Sequence, residues 1–327
     1  MKRKTIVLII LSLLTVGAFF FALSTGSSGL SISGVFSGLF AQDYDAYHII
    51  YDIRLPRALC ALGVGAALGV AGSMFQSLSR NPLGSPDVVG FTAGSTSGAL
   101  IGIIVFSAGS FQTAIFSVLG GLVTAGLVYL LVSGRGVNTG LLFVLVGIGV
   151  SALLTSVNGF LITRAALGDA IAAQTWLVGN LNARAWEHVV PLFLALLVLL
   201  PLAFLLAQSQ AILELGDATA AGLGVRVGPV RLTVVLVATA LAAVATAAAG
   251  PVAFVALAAG NVAKQLIAKP GPQPLGAALT GATLLLFSDV FAVRGIFGVS
   301  MPVGIATGMF GGLYLCFLLL RSRSLKA

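Results

Sequence analysis

The chain has 327 residues, of which 58% are hydrophobic and 8% charged, against about 25% charged in an ordinary soluble domain, so it cannot cover a water-facing surface of its own size. Its net charge of +8 is carried by basic residues scattered singly between apolar runs; without a basic face this excludes a nucleic-acid platform and suits orientation in a membrane. Apolar stretches of about 18 residues or more, the length that marks a membrane span, recur along the whole sequence, which predicts an all-α integral membrane protein with about ten transmembrane helices in a single domain over residues 1–327.

Residues 1–4 are basic and residues 5–23 apolar. The run is long for a signal-peptide core and lacks a good small-residue cleavage signal, so it reads as a first span with a cytoplasmic N-terminus. Residues 25–56 form a polar loop with Asp43, Asp45 and Asp52, expected outside. Span two covers about 58–78 and is followed by Arg80-Asn81-Pro82-Leu83. Spans three, four and five cover about 88–106, 113–132 and 141–162. Residues 163–187 are mixed and include Trp176 and Trp186, the residue type favoured at membrane interfaces. Span six, at 189–207, leads into a polar segment at 208–231. Residues 232–267 are almost wholly apolar and divide most naturally at Gly250-Pro251 into spans seven and eight. Spans nine and ten cover 275–291 and 303–320.

Ten spans place both termini on one side. Twelve basic residues then fall inside and five outside, namely Arg54, Arg57, Arg164, Arg184 and Arg294. This bias supports a cytoplasmic N-terminus. Glycines are frequent at helical spacing, as at Gly65, Gly69 and Gly72, and small residues let helices approach closely in lipid.

Catalysis finds little support. The five lysines are not placed for a phosphate-binding loop. His48 and His188 are isolated near span ends, and Cys60 and Cys316 lie in apolar segments as buried thiols, so no metal-ligand cluster and no directly bound cofactor is expected. Asp289 is the acid that lies inside an apolar run. An intramembrane carboxylate suggests a functional site such as a proton relay; the plainer alternative is pairing with Arg294 or water near the outer end of its helix. The segment 214–226 is the longest polar interruption on the proposed inner side. Asp217 suits a helix N-cap, and Gly222 and Gly224 suit its termination. A short helix that docks a partner protein and an ordinary connecting loop both satisfy that pattern.

Several of these residues form a recognisable series. Arg54-Leu-Pro-Arg57, Gly65-Ala-Ala-Leu-Gly-Val-Ala-Gly72, Gln76 and Arg80-Asn-Pro-Leu-Gly-Ser-Pro-Asp87 resemble, in order and separation, the signature of the FecCD family of type II ABC importer permeases. Leu215-Gly-Asp-Ala-Thr-Ala-Ala-Gly-Leu-Gly224, Gly250-Pro-Val-Ala-Phe-Val-Ala-Leu257 and Pro302-Val-Gly304 are similar to its later motifs. Within the family, Asn81-Pro-Leu-Gly-Ser-Pro-Asp-Val-Val-Gly-Phe91 is most similar to the ferric enterobactin branch, which implies a catecholate siderophore as cargo.

The resemblance implies ten spans per subunit and a second permease subunit, a paralogue in a heterodimer. It also implies a cytoplasmic pair of ABC ATPases that carries the ATP and Mg, and a periplasmic siderophore-binding protein. The setting would be the bacterial inner membrane. Glu214, Gly216, Asp217, Ala218, Thr219, Gly222, Leu223 and Gly224 would form the ATPase-coupling segment, about 212–228. Arg54, Arg57 and Arg294 would dock the binding protein. Gln76, Asn81, Asn138 and Thr139 would lie along the translocation path or its gate. Haem and cobalamin permeases of the same family are alternatives, as is an ion-coupled secondary carrier, although that class usually shows inverted repeats and midplane polar sites. One departure stands out. Where the family has Pro-His or Pro-Gln after Phe-Val-Ala-Leu, this chain reads Gly260-Asn261, so a proline kink is absent or softened.

Overall fold

The structure is a computed structural model and describes residues 2–26, 34, 35, 38, 44–132, 139–295 and 299–324. The helices, in chain order, are α1 (Lys2–Ser24), α2 (Tyr44–His48), a π-helical stretch (Ile49–Arg54), α3 (Leu55–Ser79), α4 (Phe91–Phe106), α5 (Ser110–Val132), α6 (Thr139–Arg164), α7 (Leu167–Leu177), α8 (Trp186–Leu213), α9 (Asp217–Gly222), α10 (Val227–Ala249), α11 (Val255–Ile267), α12 (Pro274–Arg294) and α13 (Val303–Ser324). Among the described residues, seven helices are long and apolar enough to cross a membrane, and three shorter apolar helices (Phe91–Phe106, Val255–Ile267 and Val303–Cys316) stand at the positions of the remaining three of the ten expected spans.

The bundle is built around α3. The most apolar stretch of the α2–α3 segment is 83% buried, against 22% for α1 and α8 and 11% for α6. Around α3 pack α8, α10, α11 and α12. Its sequence explains that position. Gly65, Gly69 and Gly72 recur at spacings of four and three and so share one helix face. At these positions the main chains of other helices come so close that a Cβ on Gly65 would meet the Gly281 carbonyl, one on Gly69 the Ala277 carbonyl and one on Gly72 the Ala256 carbonyl. The first two contacts run in opposite order along the two chains, so α3 and α12 are antiparallel. The periphery reads the other way: Leu194, Leu197, Val198 and Leu205 of α8 and Leu119, Val123 and Leu130 of α5 are exposed, as expected for side chains that face lipid.

The apolar stretch 232–267 divides where its sequence suggests. α10 stops at Gly250, which adopts φ +74°, and α11 starts after Phe254, which adopts φ +67°. α11 has 13 residues and rises about 20 Å, short of a full crossing. Irregular backbone at membrane depth is tolerated where it is buried in protein or lines a cavity. Here the segment meets the loop after α7: the Asn180 amide donates to the Ala249 carbonyl at 2.7 Å, and Gly179 packs directly on the Pro251 carbonyl.

Gly260 and Asn261 lie inside an unbroken α11, so the proline kink is absent. Gly260 faces the Ser73 main chain and the Gln76 side chain of α3. Asn261 Nδ2 donates to the Pro82 carbonyl at 2.7 Å and to the Leu257 carbonyl at 3.0 Å, stitching α11 to the loop after α3. Gly260→Pro, which restores the family's residue, should therefore destabilise this chain by about 3 kcal/mol or more through a lost helix bond and steric clash. The thermal unfolding midpoint in detergent checks this, and an unchanged midpoint would mean that α3 and α11 separate freely.

Candidate functional site

Charged and polar groups gather at three places: the end of the bundle that carries α9, the opposite end, and a cavity between them.

At the first end, α8 ends at Leu213 and α9 follows after a sharp turn through Gly216, whose φ of +112° suits glycine. Gly216 occupies the cap position and Asp217 is the first helical residue, with no side-chain capping bond. This corrects the N-cap expected for Asp217. An acid in the first turn still complements the helix dipole, but the carboxylate turns back into the bundle. Arg231 Nη2 of α10 donates to both its oxygens, at 2.8 and 2.9 Å, and Arg80 Nη2 donates to Oδ1 at 3.0 Å. Arg80 Nη2 also reaches the Leu213 carbonyl at 2.8 Å. Beside them Lys264 of α11 approaches Glu214 at 3.4 Å. Ala220 is buried, whereas Ala218, Thr219, Gly222, Leu223 and Gly224 are exposed. Two leucines that flank the helix, Leu215 and Leu223, are 65% and 61% exposed. Residues 215–224 therefore form a short exposed ledge rather than a featureless loop.

At the opposite end lie the three expected docking arginines. Arg54 is 7% exposed, and its Nη1 donates to the Leu23 carbonyl at 2.7 Å. Arg57 grips Asp289 of α12 through Nε and Nη2, with bonds of 2.8–3.1 Å, and its Nη1 donates to Asn182 Oδ1 at 2.6 Å. The Asp289 side chain is 4% exposed. Asp289 thus pairs with Arg57 and not with Arg294, the partner expected within its own helix. Arg294 is exposed, and its guanidinium stands 4.9 Å from the centre of the Phe21 ring. Of the three arginines it presents the most accessible charge.

Between the ends, Asp87, Thr92, Thr96, Thr155 and Asn158 line a cavity of about 570 Å³ together with Pro251, Ala253, Gly304 and Ile305. The Thr92 hydroxyl donates to Asp87 at 2.7 Å, and Ser97 donates to Asn158 at 2.7 Å. Burial pushes the Asp87 carboxyl above its usual range, against the Thr92 bond and a bond from the Phe254 amide. The volume lies within the ~300–1,000 Å³ typical of small-molecule sites. Gln76 and Asn81, expected along the path, are not among the lining residues. Gln76 Nε2 binds the Leu257 carbonyl at 2.9 Å, and the Asn81 side chain accepts from the Leu83 amide at 2.9 Å, shaping its own turn. Thr139 starts α6, and Asn138 lies outside the described residues. Sequence reasoning missed these residues: Thr92 and Thr96 repeat at i, i+4 and Thr155 and Asn158 at i, i+3, each pair on one helix face, but no spacing along the chain brings the two faces together.

A family model described as the FecCD transport family matches residues 13–321. The chain is 40% identical over 326 residues to the ferric enterobactin transport system permease protein FepG of Escherichia coli, covering 99% of this chain and 98% of that protein. It is 32% identical to the Fe(3+)-citrate import system permease protein YfmD of Bacillus subtilis, covering 93% and 91%. Its fold matches a solved inward-facing conformation of a metal-chelate type ABC transporter with a TM-score of 0.86 and 27% identity, over 96% of this chain and 98% of the other. A match that runs nearly end to end, on a bundle of ten spans built around a glycine-faced central helix, places this chain in the FecCD transport family.

Proposed function

We propose that this chain is the membrane permease subunit of an ATP-driven importer of ferric siderophores, with a catecholate of the enterobactin type as cargo. It works in the bacterial inner membrane with both termini in the cytoplasm. A pair of ABC ATPases supplies the ATP and Mg chemistry, a paralogous permease completes the pathway, and a periplasmic binding protein delivers the siderophore. The observation that carries this reading is the short exposed helix α9 with the exposed Leu215 and Leu223 on either side of it, which stands outside the spans and offers a partner a surface away from lipid. The extended similarity to FepG supplies the siderophore class.

On the outer side Arg294 is the first candidate to meet an acidic binding protein, since charge pairing at a surface governs encounter and orientation. Arg54 and Arg57, engaged by Leu23 and Asp289, brace that surface from beneath. The pairing of Asp289 also weakens the secondary-carrier alternative, because its carboxylate is taken up in an ion pair that joins two helices.

Tagged protein from its native membrane should co-purify with an ABC ATPase, and vesicles that hold the complex should take up ferric enterobactin only when supplied with ATP. Uptake that persists without ATP and collapses with the proton gradient would overturn this reading. ATP-driven uptake of haem or cobalamin instead would overturn the siderophore assignment alone.

A further inference from the structure

Arg80 is an unusual residue to find where it stands. It follows the last turn of α3 with φ +51° and ψ +31°, the left-handed conformation that glycine commonly supplies after a helix and that other residues adopt infrequently. Glycine would relax the backbone, but only a long cationic side chain can do what Arg80 does. From the end of the most buried segment in the bundle, its guanidinium reaches both the Leu213 carbonyl at the end of α8 and the Asp217 carboxylate at the start of α9. Arg231, in the first turns of α10, holds the same carboxylate.

Asp217 and Arg80 are half exposed. A single pair of this kind contributes little to stability, so the arrangement is poorly explained as a fold anchor. It is better explained as a joint. Gln210 adds a second observation. Its Oε1 is buried without a hydrogen-bond partner, in a small cleft of about 10 Å³ lined also by Arg80, Leu213 and Arg231. Gln210 and the two arginines therefore line one small cleft next to the Asp217 ion pairs.

We propose that Asp217 is a positioning residue that ties the ledge helix α9 to the cytoplasmic end of α3 through Arg80, with Arg231 as the second hold, so that displacement of α9 by a partner is delivered to the central helix. This rests on the importer reading for its partner, but it gives Asp217 a different task from the exposed face of α9. Ala218, Thr219 and Leu223 face outward, whereas the Asp217 carboxylate faces back into the permease. The tie also explains why the load falls on α3 rather than on a lipid-facing helix. α3 packs against α8, α10, α11 and α12 most extensively, so moving its end moves the centre of the bundle.

Two measurements test the tie. In the complete complex, reconstituted with the binding protein and radiolabelled ferric enterobactin, Asp217→Asn should keep the ATPase bound and hydrolysing while uptake falls about tenfold or more, the scale of one lost charge-assisted hydrogen bond. Asp217→Glu, which keeps the charge, should recover a large part of that uptake, and Arg80→Ala combined with Asp217→Asn should be no worse than either alone. Uptake and hydrolysis falling in equal proportion would overturn the proposal, since that would mean only a lost seat for the ATPase. The second measurement needs no ATPase. In the purified full chain, amide exchange over residues 76–80 and 213–222 should rise together in Asp217→Asn, and exchange that rises in α9 alone, or not at all, would overturn the tie. Failure of the native chain to recruit an ATPase would instead overturn the importer reading, while the exchange measurement would still report on the tie.

Discussion

Replacing Arg57 by alanine should destabilise the folded chain by about 3–5 kcal/mol, the cost of breaking a buried ion pair from one side. The carboxylate of Asp289 is 4% exposed and the Arg57 side chain 22%. Removing the guanidinium leaves a nearly enclosed negative charge without the two nitrogens that hold it, and strips Asn182 of its donor. Arg57→Lys keeps the charge but loses the two-pronged grip, because lysine is a point charge and not a planar fork; its cost should be smaller, about 1–2 kcal/mol. Removing both partners with apolar residues should recover much of the single-mutant loss, since no charge is then left buried. A double-mutant cycle on unfolding midpoints in detergent reads all of these. An arginine that served only to meet a binding protein would show no stability effect when removed, so the cycle separates the bracing role from the docking role directly.

The second large effect is expected at Gly72. A Cβ there would run into the Ala256 carbonyl on α11, and a main-chain atom cannot rotate away as a side chain can. Gly72→Ala should therefore cost about 3 kcal/mol, the upper end for inserting a methyl group into a packed core, and Gly72→Val should prevent a stable fold. Gly126 of α5 is the matched control, because a Cβ there meets nothing within 4 Å. Gly126→Ala should stabilise its helix slightly, by about 0.5–1 kcal/mol. Equal behaviour of the two variants in thermal unfolding would mean that helix propensity, and not close approach, governs these glycines.

The contrast between these residues shows what a single sequence discloses. Apolar run length alone places the ten spans within a few residues, and Gly250-Pro251 marks the break because a glycine and a proline together end α10. For α9 the local pattern allows either a short helix or a connecting loop, and the structure shows the helix. Pairing between distant segments is not readable in this way. Arg294 stands five residues after Asp289 in α12, which on a 3.6-residue turn points it well away from the acid; only positions three or four apart face one another. The true partner, Arg57, comes from the other end of the sequence. Asp217 shows the same limit on a smaller scale. Its local pattern suggests a cap, but two arginines from other helices claim its oxygens, and Gly216 takes the cap position. The cavity around Asp87 was hidden for a related reason: its polar residues are dispersed over α4, α6 and the loop between α3 and α4, and only the bundle brings them together.

The burial of α3 also constrains how the protein is made. This helix enters the membrane second among the spans, yet the main chains that fill its glycine face belong to α11 and α12, near the end of the chain. During synthesis, Gly65, Gly69 and Gly72 must therefore face lipid or transient neighbours until the last spans arrive. Lipid offers such a groove no snug partner, so in the nascent chain α3 is a helix inserted but not yet docked. A polypeptide that stops before α11 would hold its early spans in the bilayer with their organising helix unsatisfied, a state suited to recognition by membrane quality control and unsuited to passing cargo.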